Sequence, residues 1–135
     1  MDPLPAELFL CEDAAGTANV TKFGENLTMS MKEKMHTGAL YLPGDREILQ
    51  EQMQRLDRLY DFNMTRPSEL AKRQALLKEM FAEIGEDCYV EPPLYSNFGG
   101  GHVHFGRNIY ANFHLTLVDD THIYVGDYTM FGPNV

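Results

Sequence analysis

The feature that most constrains the fold is a six-residue spacing of apolar residues near the end of the chain. Phe105, Ala111 and Leu117 lie six residues apart, and Val125 and Phe131 resume the same step after a two-residue slip at "DDTH". The positions four residues further on are mostly aliphatic or β-branched: Ile109, Leu115, Thr121, Thr129 and Val135. This repeat is typical of a β-helix in which each hexapeptide supplies a short strand and a corner. It predicts parallel strands near residues 103–105, 109–111, 115–117, 123–125 and 129–131, amounting to fewer than two coils.

A helical period precedes the repeat. The segment "MKEKMHTG" predicts a short amphipathic turn that ends at Gly38. Residues 46–62 predict a helix with Asp45 as its N-cap, acid in its first turn and a buried face formed by Leu49, Met53, Leu56 and Tyr60. Residues 67–84 predict a second helix with Gly85 as its C′ residue and a buried side formed by Leu70, Leu77, Phe81 and Ile84.

The first thirty residues show no sustained period. Gly16, Gly24 and scattered Asn and Thr residues interrupt every helical pattern. Met29 and Met31 lie where the helical pattern begins, which is consistent with an original start near them. We expect residues 1–30 to be a leader or an extension that is poorly ordered.

Composition narrows the function classes. The net charge is −9 with 11 Lys and Arg residues and no basic cluster, so binding to nucleic acid or to an anionic membrane is not expected. No run of apolar residues approaches the ~18–20 needed for a membrane span. Cys11 and Cys88 are far apart and lie outside any metal-binding pattern, which predicts two unpaired thiols and a cytoplasmic protein.

Several segments carry a resemblance to a known family. They are "MKEKMHTGALY", "YDFN", "LLKEMFAEIGEDCYVEPPLYSNFGG", "HVHFGRNIYANFHLTLVDD" and "VGDYTMFGPNV". From about Met31 to Val135 the chain resembles the maltose and galactoside O-acetyltransferases, which are hexapeptide acyltransferases. The resemblance implies an α plus β fold, with a helical region over residues 31–85 and the first coils of a left-handed parallel β-helix over residues 86–135. It also implies a homotrimer with active sites between subunits.

The reaction implied by the resemblance is acetyl transfer from acetyl-CoA to a sugar hydroxyl, with no metal. In that family a histidine just after the "GPNV" motif is the general base. The base is therefore expected beyond Val135, and the 135 residues are expected to be an inactive N-terminal fragment. The acceptor side is expected to include Asn112 near the reacting centre, Asp120 on sugar hydroxyls, Tyr110 packed on a pyranose and Asn97 as a polar contact. Taken without the resemblance, Asn112, Asp119 and Asp120 are ordinary residues of a β-helix corner.

The family pattern is not matched everywhere. Leu42 and Pro43 stand where an acid is common, Gln52 stands where a basic residue is common, and the "SNFGGGH" loop is one residue longer. These positions help to shape the acceptor pocket, so the acceptor stays open between maltose- or glucose-like and galactoside-like sugars.

Two other readings stay open. His102 and His104, with His114 and His122, allow a zinc site like that of the gamma-class carbonic anhydrases. The chain also allows a non-catalytic fragment or interaction module. With no capping sequence after the last coil, we expect the fragment to self-associate.

Overall fold

Helices precede strands in the structure, a computed structural model that describes residues 29–135. The expected disorder of the leader and the state of Cys11 therefore lie outside the described residues. The helices are α1 (Met31–Met35), α2 (Arg46–Asn63) and α3 (Leu70–Met80). The strands are β1 (Glu83–Ile84), β2 (Tyr89–Val90), β3 (Leu94–Ser96), β4 (Val103–Phe105), β5 (Tyr110–Ala111), β6 (Leu115–Leu117), β7 (Ile123–Val125) and β8 (Met130–Phe131).

Side-chain caps fix where the first two helices begin. The Ser30 hydroxyl accepts a hydrogen bond from the Glu33 amide at 3.1 Å, and the Glu33 carboxylate accepts one from the Ser30 amide at 2.8 Å. This reciprocal pair satisfies two backbone donors at the start of α1. Asp45 caps α2 by accepting from the Glu47 amide at 3.0 Å, which confirms the predicted N-cap.

The strands wind through three short parallel sheets. The first sheet contains β1, β4 and β7, the second contains β2, β5 and β8, and the third contains β3 and β6. Ile84 pairs with Phe105 and Phe105 pairs with Val125, so successive turns of the chain take 21 and then 20 residues. All five strands predicted from the six-residue spacing are present within one residue at each end, and every pairing described is parallel.

The prediction of fewer than two coils is wrong, because β1, β2 and β3 form a complete earlier turn. Ile84, Val90 and Ser96 are six residues apart and pair with Phe105, Ala111 and Leu117 of the next turn, although nine residues separate Ser96 from Phe105. The eight strands therefore make two full turns and two thirds of a third. The pattern was hidden because a polar residue, Ser96, occupies one of its positions and Ile84 also fits a helical period.

Helix α3, predicted over residues 67–84, ends at Met80, four residues before the predicted end. Phe81 has extended backbone angles, and the chain then enters β1. Pairing of Ile84 with Phe105 replaces the last helical turn, so Gly85 is not the C′ residue. A Cβ on Gly85 would lie 2.5 Å from the carbonyl oxygen of Gly106, so this glycine allows two turns of the chain to approach closely. Leu77 and Phe81 are buried as predicted, but Leu70 is 52% exposed.

The buried face predicted for α2 is also wrong. Leu49, Met53 and Tyr60 are 43%, 62% and 65% exposed, and only Leu56 of the predicted four packs against the core. The residues that α2 buries are Ile48, Leu59 and Phe62. This stripe passes through Gln52 and Arg55, and those polar residues hid it from an apolar count.

One apolar core joins the two longer helices to the coils. Its members that are at most 2% exposed are Phe62, Leu77, Val90, Leu94, Val103, Phe105, Ile109, Ala111 and Leu115. Inward positions of one turn stack on those of the next, as Leu94 does on Leu115. Burial of such side chains is the main favourable term in folding.

Truncating an inward residue should therefore destabilise the chain strongly. Leu94→Ala removes a side chain that is 0% exposed, and we expect it to lower the free energy of unfolding by about 2–5 kcal/mol. Leu40→Ala, at a position 97% exposed, is the matched control and should change it by less than about 0.5 kcal/mol. Urea unfolding measures both. Equal effects would contradict the stacked core.

Candidate functional site

Two of the four predicted site residues meet at one corner of the coil. The Asn97 side-chain amide follows β3 and donates to Asp120 Oδ1 at 2.8 Å. The Tyr41 hydroxyl, from the segment between α1 and α2, donates to Asp120 Oδ2 at 3.1 Å. Burial and the neighbouring Asp120 carboxylate raise the pKa of Tyr41, which keeps its proton available for this contact. Asp120 is thus held at a partly exposed position by groups from two separate segments.

The neighbouring Asp119 fixes the shape of this corner. It is fully buried and accepts hydrogen bonds from the Phe98 amide at 2.7 Å and the Gly100 amide at 3.0 Å. The Ser96 hydroxyl also donates to it. A buried carboxylate is stable only when such donors surround it. Asp119 therefore acts as a structural corner residue, whereas the carboxylate of its neighbour Asp120 points towards Tyr41 and Asn97.

Glycines let the loop before β4 pack tightly against α2. Gly99 and Gly100 have φ values of +60° and +88°, which favour glycine. A Cβ on Gly99 would lie 2.5 Å from the carbonyl oxygen of Arg55, and one on Gly100 would lie 2.4 Å from the Phe81 ring. The extra length of the "SNFGGGH" segment is thus accommodated against the helices, and it carries Asn97 to the corner.

The other two predicted site residues lie elsewhere in this chain. Tyr110 is in β5, stacked on Tyr89 with ring centroids 6.2 Å apart, and its hydroxyl donates to Glu91 at 3.4 Å. Burial and Glu91 raise the pKa of Tyr110. Asn112 follows β5, and its side-chain oxygen accepts from the Phe113 amide at 2.8 Å. No described contact joins either residue to Asp120. One chain therefore brings together only half of the predicted set.

Four histidines gather beside Asp120. His36 lies after α1, His102 precedes β4, His104 is in β4 and His122 precedes β7. The ring centroids of His36 and His102 are 4.8 Å apart, those of His36 and His122 are 5.2 Å apart, and those of His102 and His122 are 5.4 Å apart. His104 lies 5.1 Å from His122, whereas His114 stacks on Tyr95 at another corner. The sequence patterns did not place His36 in this group.

Within residues 29–135, no three or more His, Cys, Asp or Glu side chains are arranged to hold a metal ion. In the same part of the chain, no helix is both long and apolar enough to cross a membrane. Cys88 is buried as a free thiol, with its sulfur 3.1 Å from the carbonyl oxygen of Gly106.

A cavity of about 430 Å³ is lined by residues of α1 and α2. Its charged lining includes Lys32, Glu51 and Arg55, and Lys32 pairs with Glu51 at 2.7 Å. Burial acts to raise the pKa of Glu51, but hydrogen bonds from Lys32 and Arg55 outweigh it and lower that pKa. The cavity is open and its charges already pair with one another, so we assign the functional site to the Asp120 corner instead.

Comparison with known proteins decides the family. The family model "Maltose acetyltransferase hexapeptide capping motif" matches residues 34–85. A galactoside O-acetyltransferase of Lactococcus lactis is 53% identical over 103 residues, which cover 76% of this chain and 50% of that protein. The chain belongs to the family of galactoside and maltose O-acetyltransferases.

Other relatives support the same family assignment. A galactoside O-acetyltransferase of Escherichia coli K12 is 41% identical over 109 residues, covering 81% of this chain and 53% of that one. The solved maltose O-acetyltransferase of Clostridium difficile superposes with a TM-score of 0.76 at 31% identity, covering 78% of this chain and 56% of that one. A galactoside acetyltransferase solved with coenzyme A superposes with a TM-score of 0.69 at 41% identity, covering 73% of this chain and 49% of that one. The chain spans about half the length of the curated relatives it matches.

The two adjacent aspartates should differ sharply in their effect on stability. Asp119→Asn replaces an acceptor oxygen by a donor group and leaves a buried donor unpaired, so we expect a loss of about 1.5–3 kcal/mol. Asp120→Asn, at the partly exposed neighbour, is the matched control and should cost less than about 1 kcal/mol. Urea unfolding of both variants tests this. A similar small cost for both would show that Asp119 does not hold the corner.

Acid should weaken the histidine corner. Burial and the nearby His102 and His122 lower the pKa of His36, while Glu51 raises it and Lys32 lowers it. Burial, His102 and His104 lower the pKa of His122. In the unfolded chain these histidines have a pKa near 6.5, so below that pH the unfolded state binds more protons than the folded state. The free energy of unfolding should therefore fall as the pH drops below about 6.5.

The free energy of unfolding between pH 7.5 and 5.5 measures this effect. A double variant, His36→Asn with His122→Asn, should flatten the dependence, and His114→Asn should leave it unchanged. If the double variant keeps the full dependence, these two imidazoles are not its source.

Proposed function

We propose that the complete protein is an acetyl-CoA-dependent O-acetyltransferase acting on a sugar hydroxyl, and that this chain carries the acceptor side of its site. The observation that carries the proposal is the Asp120 carboxylate, held by Asn97 and Tyr41 at an accessible corner, in a chain 53% identical to a galactoside O-acetyltransferase. A galactoside acetyltransferase and a Vibrio cholerae hexapeptide acetyltransferase were solved with coenzyme A and acetyl coenzyme A, which supports the same donor here.

The proposed chemistry divides between binding and transfer. Asp120 accepts hydrogen bonds from sugar hydroxyls, which binds the acceptor in ground state and transition state alike. The reacting hydroxyl attacks the thioester carbonyl of acetyl-CoA, a general base takes its proton, the new C–O bond forms and the C–S bond breaks to release coenzyme A. Following the resemblance, we place that base after the "GPNV" motif, beyond residue 135. By themselves, residues 1–135 are proposed to be inactive.

The distribution of the predicted residues supports a site between subunits. Asn97 and Asp120 lie at one corner, while Tyr110 and Asn112 lie at the end of β5, with no described contact between the two pairs. A homotrimer would place the second pair of one subunit against the first pair of its neighbour. Asn112 uses its oxygen on the Phe113 amide, which leaves its amide hydrogens to orient a hydroxyl or donate to a developing oxyanion.

The remaining features of the proposal follow the family. Three parallel sheets joined in turn by short corners support a parallel β-helix, and its left-handed winding is proposed from the family resemblance. The free thiol of Cys88 supports a cytoplasmic location. Acceptors of both the maltose or glucose type and the galactoside type stay within the proposal. Relatives named for each sugar match the chain.

Steady-state kinetics of the complete gene product test the proposal. It should acetylate a maltose- or galactoside-like sugar from acetyl-CoA, whereas residues 1–135 alone should not exceed background, since a general base is typically worth ~10²–10⁴-fold in rate. Asp120→Ala should raise KM by roughly tenfold or more. Asn112→Ala should lower kcat by about 10²–10³-fold if its amide serves the oxyanion.

Asp57→Ala, on the exposed side of α2, is the control and should leave both constants unchanged. Unchanged turnover in Asn112→Ala would return that residue to a corner role. Absence of acetyl transfer to any sugar by the complete protein would overturn the proposed function.

A further inference from the structure

The Asp120 carboxylate can bind only part of a sugar. Its Oδ1 already accepts from Asn97 and its Oδ2 from Tyr41. An ionised carboxylate has about four acceptor positions, so about two are left for a ligand. A sugar presents many hydroxyl donors, and further acceptors would have to come from neighbouring side chains. Tyr41 and Asn97 each have an oxygen beside the carboxylate that can also accept. Further candidates are the imidazoles of His36 and His102, which lie within hydrogen-bond distance of Thr121 and Asp119 on either side of Asp120, and the imidazole of His122.

The tautomer of His102 follows from its partner. Its Nδ1 lies 2.6 Å from the backbone carbonyl oxygen of Asp119. A carbonyl oxygen only accepts, so Nδ1 carries the hydrogen. In the neutral ring Nε2 then has a free lone pair. No described residue donates to that Nε2.

The tautomer of His122 follows from a chain of three groups. The Glu83 carboxylate lies 3.3 Å from His104 Nδ1, and His104 Nε2 lies 2.9 Å from His122 Nδ1. Because the carboxylate accepts, His104 donates from Nδ1 and accepts at Nε2, so His122 donates from Nδ1. The neutral His122 ring therefore also presents a lone pair on Nε2. Within residues 29–135 this atom has no hydrogen-bond partner.

His36 completes the group from the helical region. Its Nδ1 lies 3.2 Å from the Thr121 hydroxyl, one residue after Asp120. When Nδ1 donates to this hydroxyl oxygen, Nε2 is an acceptor, and no described residue forms a hydrogen bond with that Nε2. The three ring centroids lie 4.8–5.4 Å from one another. Three imidazoles thus pack together next to residues 119–121, and within the described residues none of their Nε2 atoms has a hydrogen-bond partner. His36 and His122 are exposed, whereas His102 is buried.

Charge favours an uncharged ligand at this corner. The lowered pKa values of His36 and His122 keep these rings neutral at pH 7. Lys32, the cation that acts on His36, is paired with Glu51 at 2.7 Å. The other charged groups near these rings are carboxylates: Asp120, the buried Asp119, and Glu83 behind His104. A sugar that carries a phosphate or carboxylate would be repelled, whereas neutral hydroxyls can donate to the imidazole nitrogens.

We propose that the exposed His36 and His122, which pack on the buried His102, form a second part of the acceptor site, in which their Nε2 atoms accept hydrogen bonds from hydroxyls that Asp120 does not bind. The acceptor class this selects is an uncharged glycoside or disaccharide, in preference to a sugar phosphate or a uronic acid. This proposal rests on the proposed function, because it assigns Asp120 to sugar hydroxyls. It makes His122, oriented through His104 and Glu83, a specificity-determining residue.

Binding of maltose, methyl β-galactoside and galacturonate to the complete gene product at pH 7.5 tests the proposal by isothermal titration. His122→Phe keeps an aromatic ring without an acceptor, and we expect it to weaken binding of at least one neutral sugar about 2- to 10-fold, the worth of one hydrogen bond. His122→Gln restores an acceptor oxygen and should recover part of that loss. His114→Asn, at a residue with a φ of +62° that Asn tolerates, is the control and should bind like the parent.

The outcomes separate the two proposals. If Asp120→Ala weakens neutral-sugar binding but His122→Phe and a second variant, His36→Phe, do not, the histidine proposal is overturned and the proposed function stands. If galacturonate binds as well as the neutral sugars, the selectivity argument is overturned. If no sugar binds and none is acetylated, both proposals fail.

Discussion

The rest of the structure depends on the parallel stacking of one turn of the chain on the next. Each inward position must meet its equivalent about twenty residues later, as Phe105 meets Ile84 and Val125. This requirement ends α3 early, brings the glycine loop against α2 and buries Asp119 under the loop that it binds. Because Asp119 is fixed inward, the next residue along the chain presents its carboxylate at the corner. The candidate site is therefore a consequence of the repeat.

The sequence predicted the later strands well and the earlier elements less well. In the later turns, inward residues such as Phe105 and Leu117 are apolar, so the six-residue spacing is visible. In the first turn, the inward Ser96 is polar, because it binds Asp119. Arg55 similarly interrupts the buried stripe of α2, because its guanidinium lies against Gly101 of the glycine loop and binds Glu51. Both misses come from tertiary contacts that no local period contains.

In the candidate site, too, the residues on the coil were predicted and those from the helical region were not. The resemblance predicted Asn97 and Asp120, and the two are hydrogen-bonded. Tyr41 and His36 reach the corner from the helical region, about 80 residues earlier in the chain, and neither was predicted. Contacts between such distant segments depend on how the helices pack on the coil. A repeat pattern read along the chain does not report that packing.

The account's central claim is that Asp120 and its neighbours bind the sugar acceptor. A crystal structure of the complete gene product with a neutral glycoside and coenzyme A tests it most directly. The account predicts a sugar hydroxyl within ~3.2 Å of the Asp120 carboxylate, with Asn112 from a neighbouring subunit facing the same sugar. A sugar bound at another place, with Asp120 still paired only to Tyr41 and Asn97, would contradict it.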